Sequence, residues 1–215
     1  MKKFVSVLLS ILLVAALSSC GEKKISENEK RYSAVLEKYR SAITDDWSLE
    51  EYEKEDICRL LFYKLGSGSK ASEFGYYFKD INSDGTDELF IGPKSSDEYI
   101  EALYEIYTVS DGSPKRLAMS GEKNKYYLCS DGTIADHGSG GSDSSGFYYF
   151  KFNGIELDFV EGILYDASVD EKNPWFVANG ADYFSSPELQ TTNSYANSVI
   201  DRYRDMYLNI PYIHF

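Results

Sequence analysis

Oxygen-bearing side chains alternate along the segment from Asp80 to Glu88. They occupy the first, third, fifth and ninth positions, with Asn82 and Asp84 between the two ends, and Gly85 takes the sixth. Calcium binds six to eight oxygen ligands, and glycine permits the sharp bend that turns successive side chains toward one point. The spacing therefore predicts a calcium-binding loop. A hairpin turn that uses the same residues only for their turn conformation is the alternative.

The loop resembles the calcium loops of EF-hands and dockerins, and more closely those of FG-GAP repeats, in which such a loop joins two β-strands. The resemblance implies five ligands: Asp80, Asn82, Asp84, Thr86 and Glu88. The first three would bind through side chains, Thr86 through its carbonyl and Glu88 as the closing carboxylate. Ile91 stands where an EF-hand has its closing Glu, and Glu88 is longer than the Asp usual in FG-GAP loops. A single loop of this kind binds calcium weakly, at about 10⁻⁴ to 10⁻³ M.

The N-terminus carries a second chemical signal. Lys2 and Lys3 precede the apolar run 4–17, which leads into Leu17-Ser18-Ser19 and then Cys20. This order is typical of a signal peptide, and its end resembles the lipobox of bacterial lipoproteins. The resemblance implies that Cys20 is acylated and holds the mature chain on the extracytoplasmic face of the cell membrane. A spanning helix is disfavoured because the run falls short of roughly 18 residues, and a buried N-terminal helix is the remaining alternative.

Charge limits the partners. Residues 1–19 contain two lysines and no acid, so removing them from a chain with 35 acidic and 22 basic residues leaves a net charge of −15. Such a surface repels nucleic acid phosphates and anionic lipid headgroups. We expect no nucleic acid partner, and we expect membrane contact only through Cys20. An extracytoplasmic protein or glycan is the expected partner.

Two further cysteines, Cys58 and Cys129, remain after Cys20. An exported chain could pair them, but their separation in sequence favours two buried thiols. Two histidines and two spare cysteines do not match the spacing of a zinc site.

Hydrophobic periodicity and turn signals predict an α+β fold in one domain, 30–215, after a signal peptide (1–19) and a tether (20–29). Helices are predicted within 30–66 and a β-meander over 70–185, with a helix and tail over 190–215. Apolar spacing supports a first helix, and a capping box formed by Ser48 and Glu51 supports a second one that runs to Gly66. N-terminal helices and a C-terminal helix should pack on the antiparallel sheet.

Five Asp-Gly or Asn-Gly pairs punctuate the meander and predict tight hairpins. They are Asp84-Gly85, Asp111-Gly112, Asp131-Gly132, Asn153-Gly154 and Asn179-Gly180. A bulge is predicted at Gly162, a last hairpin strand at 181–184, and an extended C-terminal tail that packs down.

The mature chain as a whole resembles a type of exported lipoprotein from Gram-positive, Firmicutes-type gut bacteria. The resemblance rests on the 80–89 hairpin, on 127–134 followed by Gly138-Ser139-Gly140-Gly141, on the 147–160 hairpin, and on the closing helix. It implies export and lipid anchoring, and it implies no catalytic residues.

The segment 137–146, rich in Gly and Ser after Asp136 and His137, invites a catalytic interpretation. It lacks the Lys of a P-loop and the Gly-x-Ser-x-Gly elbow of a serine hydrolase. Asp136 and His137 should point to opposite faces of a strand, which argues against a triad. A mobile loop is favoured, and a binding loop remains open.

These observations predict a non-catalytic binding or interaction module. One alternative is an exported hydrolase that uses two carboxylates across a pocket. The other is a glycan-binding surface protein that uses exposed tyrosines with Trp47 and Trp175.

Overall fold

The computed structural model describes residues 25–96, 99–180 and 189–215. Within these ranges the chain has the predicted α+β fold, with helices packed on antiparallel β-structure. The single meander of the prediction is divided between a five-stranded and a six-stranded sheet. The hairpin strand predicted at 181–184 lies outside the described residues.

Five α-helices are described. They are α1 (Glu27–Arg31), α2 (Ser33–Thr44), α3 (Leu49–Lys54), α4 (Leu60–Gly66) and α5 (Asn193–Arg204). The predicted capping box at α3 is confirmed: the Ser48 hydroxyl accepts the Glu51 N–H, and the Glu51 carboxylate accepts the Ser48 N–H at 2.7 Å. Thr192 caps α5, and its hydroxyl accepts the Tyr195 N–H. A threonine directly before an amphipathic helix is expected to cap it in this way.

Three helix predictions are corrected. The helix predicted from Ser48 to Gly66 is two helices, because Asp56 adopts a left-handed φ of 52° and interrupts the backbone hydrogen bonds. Gly66, where the predicted helix ends, is the last residue of α4 and not a residue beyond it. The glycine with positive φ after this helix is Gly68. The predicted tether contains the start of α1, whose own capping box pairs Ser26 with Glu29.

The first sheet has the strand order β11-β1-β2-β3-β4. Its strands are β1 (Phe74–Lys79), β2 (Glu88–Pro93), β3 (Glu105–Ser110), β4 (Ser113–Met119) and β11 (Ile213–His214). The C-terminal tail thus packs down as predicted. It adds β11 to the edge of the sheet, and the Phe215 ring stacks on the Tyr39 ring with centroids 5.5 Å apart.

The second sheet has the strand order β10-β9-β8-β7-β6-β5. Its strands are β5 (Asn124–Leu128), β6 (Ile134–Ser139), β7 (Ser144–Phe152), β8 (Leu157–Asp166), β9 (Trp175–Val177) and β10 (Leu189–Gln190). The bulge predicted at Gly162 lies two residues earlier. Tyr149 pairs with Glu161 and Phe150 with Phe159, so Val160 is the extra residue. All five glycines of the Asp-Gly and Asn-Gly pairs have positive φ. Four of the pairs lie between strands that pair with each other, which confirms those hairpins, whereas the strand predicted after Asn179-Gly180 lies outside the described residues.

Apolar side chains form three clusters that define four layers. The first cluster joins α2–α4 to one face of the first sheet, and the third joins α5 to one face of the second sheet. The cluster between them contains Phe90 and Ile106 from the first sheet with Ile134, Tyr148 and Phe150 from the second. The sheets therefore pack face to face, and helices cover both outer faces.

Tyrosine serves mainly as a packing residue in the described part of the chain. Tyr32, Tyr39, Tyr52, Tyr76, Tyr148 and Tyr149 are among the largest fully buried side chains.

Cys58 and Cys129 are free buried thiols in different clusters, as favoured from the sequence. Cys58, expected in a helix, lies in the connection between α3 and α4.

The turn at Gly132 tests how closely the two sheets meet. Gly132 and Gly112 both follow Asp in a tight turn, with φ of +81° and +75°, so Ala at either position incurs left-handed strain of about 1–2 kcal/mol. Only at Gly132 would the new Cβ meet another segment, 2.8 Å from the Ile81 carbonyl oxygen. We expect Gly132→Ala to lower the free energy of unfolding by more than Gly112→Ala in urea titrations. Equal losses would contradict the close contact.

Candidate functional site

The 80–88 loop joins β1 to β2 and folds back on its own backbone. The Asp80 carboxylate accepts the N–H groups of Ser83 at 2.6 Å and Gly85 at 2.9 Å. The Asp84 carboxylate accepts the Thr86 N–H at 2.7 Å and the amide N–H of Asn82 at 2.8 Å. Gly85 has a φ of 86°, the left-handed bend that the sequence pattern requires. The hydrogen bonds from the Gly85 and Ser83 N–H groups lower the pKa of Asp80, because they stabilise its ionised carboxylate.

Glu88 closes the loop from beneath. Its side chain is fully buried; one carboxylate oxygen accepts the Ile81 N–H at 3.1 Å and the other accepts the Thr108 hydroxyl at 3.1 Å. Burial raises the pKa of Glu88 to about 7, and the negative charges of Asp84 and Asp80 add to the rise against the effect of these hydrogen bonds. The predicted closing carboxylate is therefore inside the fold, while Asp84 is exposed.

Neighbouring elements fix the loop on several sides. From the N-terminal helices, the Asn28 amide donates to the Asp87 carboxylate at 2.5 Å and the Tyr32 hydroxyl to the Asp87 carbonyl at 2.8 Å. From the second sheet, the Gly132 turn approaches the Ile81 carbonyl, and the Gly154 turn lies beside Asn82 and Asp84. The Ile81 side chain packs in the cluster between the sheets. The loop thus lies where both sheets and the N-terminal helices meet.

The loop's oxygens fit a cation only in part. Among the residues that the structure describes, no group of three or more His, Cys, Asp or Glu side chains is placed to hold a metal ion. Asp80 and Asp84 direct their oxygens to backbone and amide N–H groups of the loop. A carboxylate oxygen carries two lone pairs, so each of these oxygens can accept a hydrogen bond and still bind a cation. Convergence of Asp80, Asp84 and Glu88 on one ion would need a rearrangement of the loop, because both Glu88 oxygens accept hydrogen bonds inside the fold.

The segment 137–146 is mostly strand rather than the favoured mobile loop. β6 and β7 pair as far as Ser139 and Ser145, which leaves a short turn at 140–143. As predicted, Asp136 and His137 lie on opposite faces. His137 packs among the rings of Tyr127, Phe147 and Tyr207, with its Nε2 2.6 Å from the Tyr207 hydroxyl oxygen. This arrangement is a packed aromatic cluster and offers no serine near the histidine in any described contact.

An aromatic cleft between α4 and β5 was not predicted. Its volume is about 310 Å³, and it is lined by Leu60, Tyr63, Lys64, Ser67, Tyr99, Glu101, Ala102, Tyr104, Lys125 and Tyr127. Lys64 and Glu101 form an ion pair at 3.3 Å. Burial lowers the pKa of Lys125. The residues come from three distant parts of the chain, so no local motif announces the cleft.

Other predicted site residues are dispersed. Trp47 and Trp175 are both half-buried against different apolar clusters, and they share no surface in the described contacts. The carboxyls whose pKa burial raises, Glu88 and Glu105, are enclosed in the sheets. Neither lines any of the four main clefts of the described residues. Cys20 lies outside the described residues, and none of the described helices is long and apolar enough to span a bilayer.

Comparison of the chain with known protein families, with curated proteins and with solved structures gives no significant match. Function must therefore be argued from the chain's own residues.

His137 should make stability depend on pH. Burial lowers its pKa to about 4, with a smaller contribution from the Arg204 charge. Unfolding restores a pKa of about 6.5. The stabilisation is complete above pH 6.5 and is lost as pH falls toward 4, because the unfolded chain then binds a proton that the folded chain excludes. Across that window we expect the wild type to lose about 3 kcal/mol more unfolding free energy than His137→Gln. Parallel pH profiles for the two proteins in urea titrations would refute this.

Proposed function

We propose that the protein is a lipid-anchored extracytoplasmic binding module without catalytic activity, whose 80–88 loop binds calcium weakly. One observation carries the proposal: the loop with the calcium-type spacing is the point where β1, β2, the N-terminal helices and two turns of the second sheet meet. A cation bound there would tie the layers together. The role that this position supports is stiffening of a binding scaffold.

Electrostatics favour a cation at this place. Asp80, Asp84 and Asp87 lie within one short turn, and Glu88 lies beneath it. The charges of Asp80 and Asp84 already oppose ionisation of Glu88. A divalent cation bound by Asp80, Asp84 and Glu88 would offset that repulsion. These carboxylates already accept hydrogen bonds from the loop and from Thr108, and a cation that competes with those bonds would bind with the weak affinity of a single loop.

The membrane anchor rests on Cys20 and on the charge of the mature chain. With a net charge of −15 after removal of residues 1–19, the surface has no electrostatic affinity for anionic lipid. An acyl chain on Cys20 would supply the attachment, since each buried CH₂ contributes about 0.8 kcal/mol and stable anchoring takes more than one chain.

The hydrolase alternative is less well supported. Carboxylates do share a cleft, as Glu53, Asp56 and Glu122 do beside α3 and as Glu55 and Asp56 do in another, but the carboxyls whose pKa burial raises are not among them. The two enclosed acids with raised pKa, Glu88 and Glu105, reach none of the four main clefts of the described residues. The glycan-binding alternative has a specific surface in its favour, the aromatic cleft between α4 and β5.

Calcium at about 10 mM should raise the melting temperature by roughly 3–6 °C. A dissociation constant near 1 mM gives about 1.4 kcal/mol of stabilisation by mass action, and the melting temperature of a domain of this size shifts by about 2–4 °C per kcal/mol. The measurement is thermal unfolding followed by circular dichroism. Magnesium at the same concentration controls for ionic strength.

A matched pair of variants locates the calcium effect. Asp84→Asn and Asp111→Asn each remove one charge from an Asp-Gly turn, but only Asp84 belongs to the 80–88 loop. We expect Asp84→Asn to lose the calcium shift and Asp111→Asn to keep it. A shift that survives in Asp84→Asn, or none in the wild type, would place calcium elsewhere or nowhere.

Replacing the proposed lipidation residue should release the protein from the membrane. Cys20→Ala removes the only thiol at the end of the apolar run, whereas Cys58→Ala removes a buried thiol of the folded domain. After fractionation, we expect Cys20→Ala to lose the acyl mass and the detergent-extractable pool, and Cys58→Ala to retain both. An unmodified Cys20 in the mature wild type by mass spectrometry would end the anchoring proposal.

A further inference from the structure

Tyrosine rings form the walls of the cleft between α4 and β5, which we call the tyrosine cleft. Tyr63 and Tyr99 remain 42% and 59% exposed although they are large aromatic residues. Tyr127 forms part of the lining, and its ring is held by parallel stacking on Tyr207, with centroids 4.6 Å apart. Most tyrosines of the described chain are packed inside, so this grouping of exposed rings around a concavity is a local exception. It offers preformed aromatic faces to a ligand.

Cations lie beside these faces. Lys64 is paired with Glu101. Lys125 is partly buried and makes no hydrogen bond or ion pair within 4 Å among the described residues, although Glu101 and Glu122 lie near enough to attract its charge. A partly desolvated ammonium group without a partner is costly. An anionic ligand group within reach of Lys125 would supply the missing partner, and Lys64 would add a second positive charge.

The surroundings favour a saccharide over an extended peptide. A peptide commonly binds by adding a strand to an exposed sheet edge. β5 is the end strand of its sheet, but its outer edge is partly occupied: the Leu103 N–H donates to the Tyr126 carbonyl at 2.8 Å, and the Tyr126 N–H donates to the Ser120 hydroxyl at 3.0 Å. Sugar rings instead present C–H groups of partial positive charge, which suit the negative faces of aromatic rings. Hydroxyl groups of the sugar can bond to Ser67, Glu101 and the tyrosine hydroxyls.

We propose that the tyrosine cleft binds a saccharide that bears a carboxylate, with the sugar ring against Tyr63 and Tyr99 and the carboxylate on Lys125. The proposal rests on the binding-module function above and names its ligand class. The volume of the tyrosine cleft, about 310 Å³, lies at the small end of the range for ligand pockets and suits a ligand of one or two sugar units.

Two matched pairs of sugars test the proposal by titration calorimetry. The measurements use two forms of the protein: the soluble chain from residue 21 onward, which lacks Cys20, and the full lipidated chain in detergent. The acids are digalacturonic acid and N-acetylmuramic acid, and the neutral partners are digalactose and N-acetylglucosamine. We expect at least one acid to bind about tenfold tighter than its neutral partner. Absence of binding by both acids, or equal binding of acid and neutral sugar, would overturn the proposal.

Variants assign the binding to the cleft. Lys125→Met and Tyr99→Ala should each weaken binding of the acidic sugar about tenfold or more. Lys172→Met and Tyr195→Ala are the matched controls, since both residues are exposed and lie outside the cleft. Thermal unfolding confirms that each variant is folded. Wild-type affinity in either Lys125→Met or Tyr99→Ala would refute the assignment.

The calcium and fractionation experiments separate this proposal from the one it rests on. If the acidic sugars fail to bind while the calcium shift and the lipid anchor are present, only the tyrosine cleft is wrong. If all three fail, the binding-module function is wrong as well.

Discussion

Apolar side chains from both sheets fill the space between them, and the arrangement of every other element depends on that contact. Phe90 and Ile106 meet Ile134, Tyr148 and Phe150 there, all with at most 8% of their surface exposed. Full burial of such a side chain contributes about 1.5–3 kcal/mol, so the contact outweighs any single hydrogen bond in the molecule. Alternation along β2 then decides the outer layers. Since Phe90 points to the partner sheet, Leu89 and Ile91 must point to the N-terminal helices, and they lie in that cluster.

Both candidate sites lie at the margins of this contact. The 80–88 loop meets the second sheet at the Gly132 and Gly154 turns. The tyrosine cleft lies beside the backbone bond from Leu103 to Tyr126, which links the segment before β3 to β5. Two twisted layers cannot match each other along their whole perimeter. Concave surfaces therefore form where the layers diverge, and those are the places where a ligand finds groups to bind.

Local signals in the sequence were sufficient for the features that depend on neighbouring residues alone. The Ser48–Glu51 capping box, the Thr192 cap and the positive φ of the five turn glycines all follow from chemistry within three or four residues. The division into two sheets, the pairing of β11 with β1 and the tyrosine cleft do not, because each joins residues far apart in the chain. The break at Asp56 was missed for a related reason. A left-handed residue inside an apolar periodicity is dictated by how α3 and α4 pack, and the periodicity itself continues through it.

A carboxylate ligand can bind to a chain of negative net charge, because the net charge and the contacts of the bound carboxylate act over different distances. At physiological ionic strength, charges separated by more than about 8 Å in solvent are largely screened. The acidic surface therefore sets solubility and slows the approach of anions, while the affinity of a bound carboxylate depends on the groups that touch it. In the tyrosine cleft these are the Lys125 and Lys64 ammonium groups among neutral rings, with Glu101 already paired to Lys64 at 3.3 Å. A partly buried cation is screened less than an exposed one, so Lys125 can select for a carboxylate within an otherwise anionic protein. Specificity would then come from the tyrosine rings, which favour an anion whose sugar ring can stack on them over an anion without such a ring.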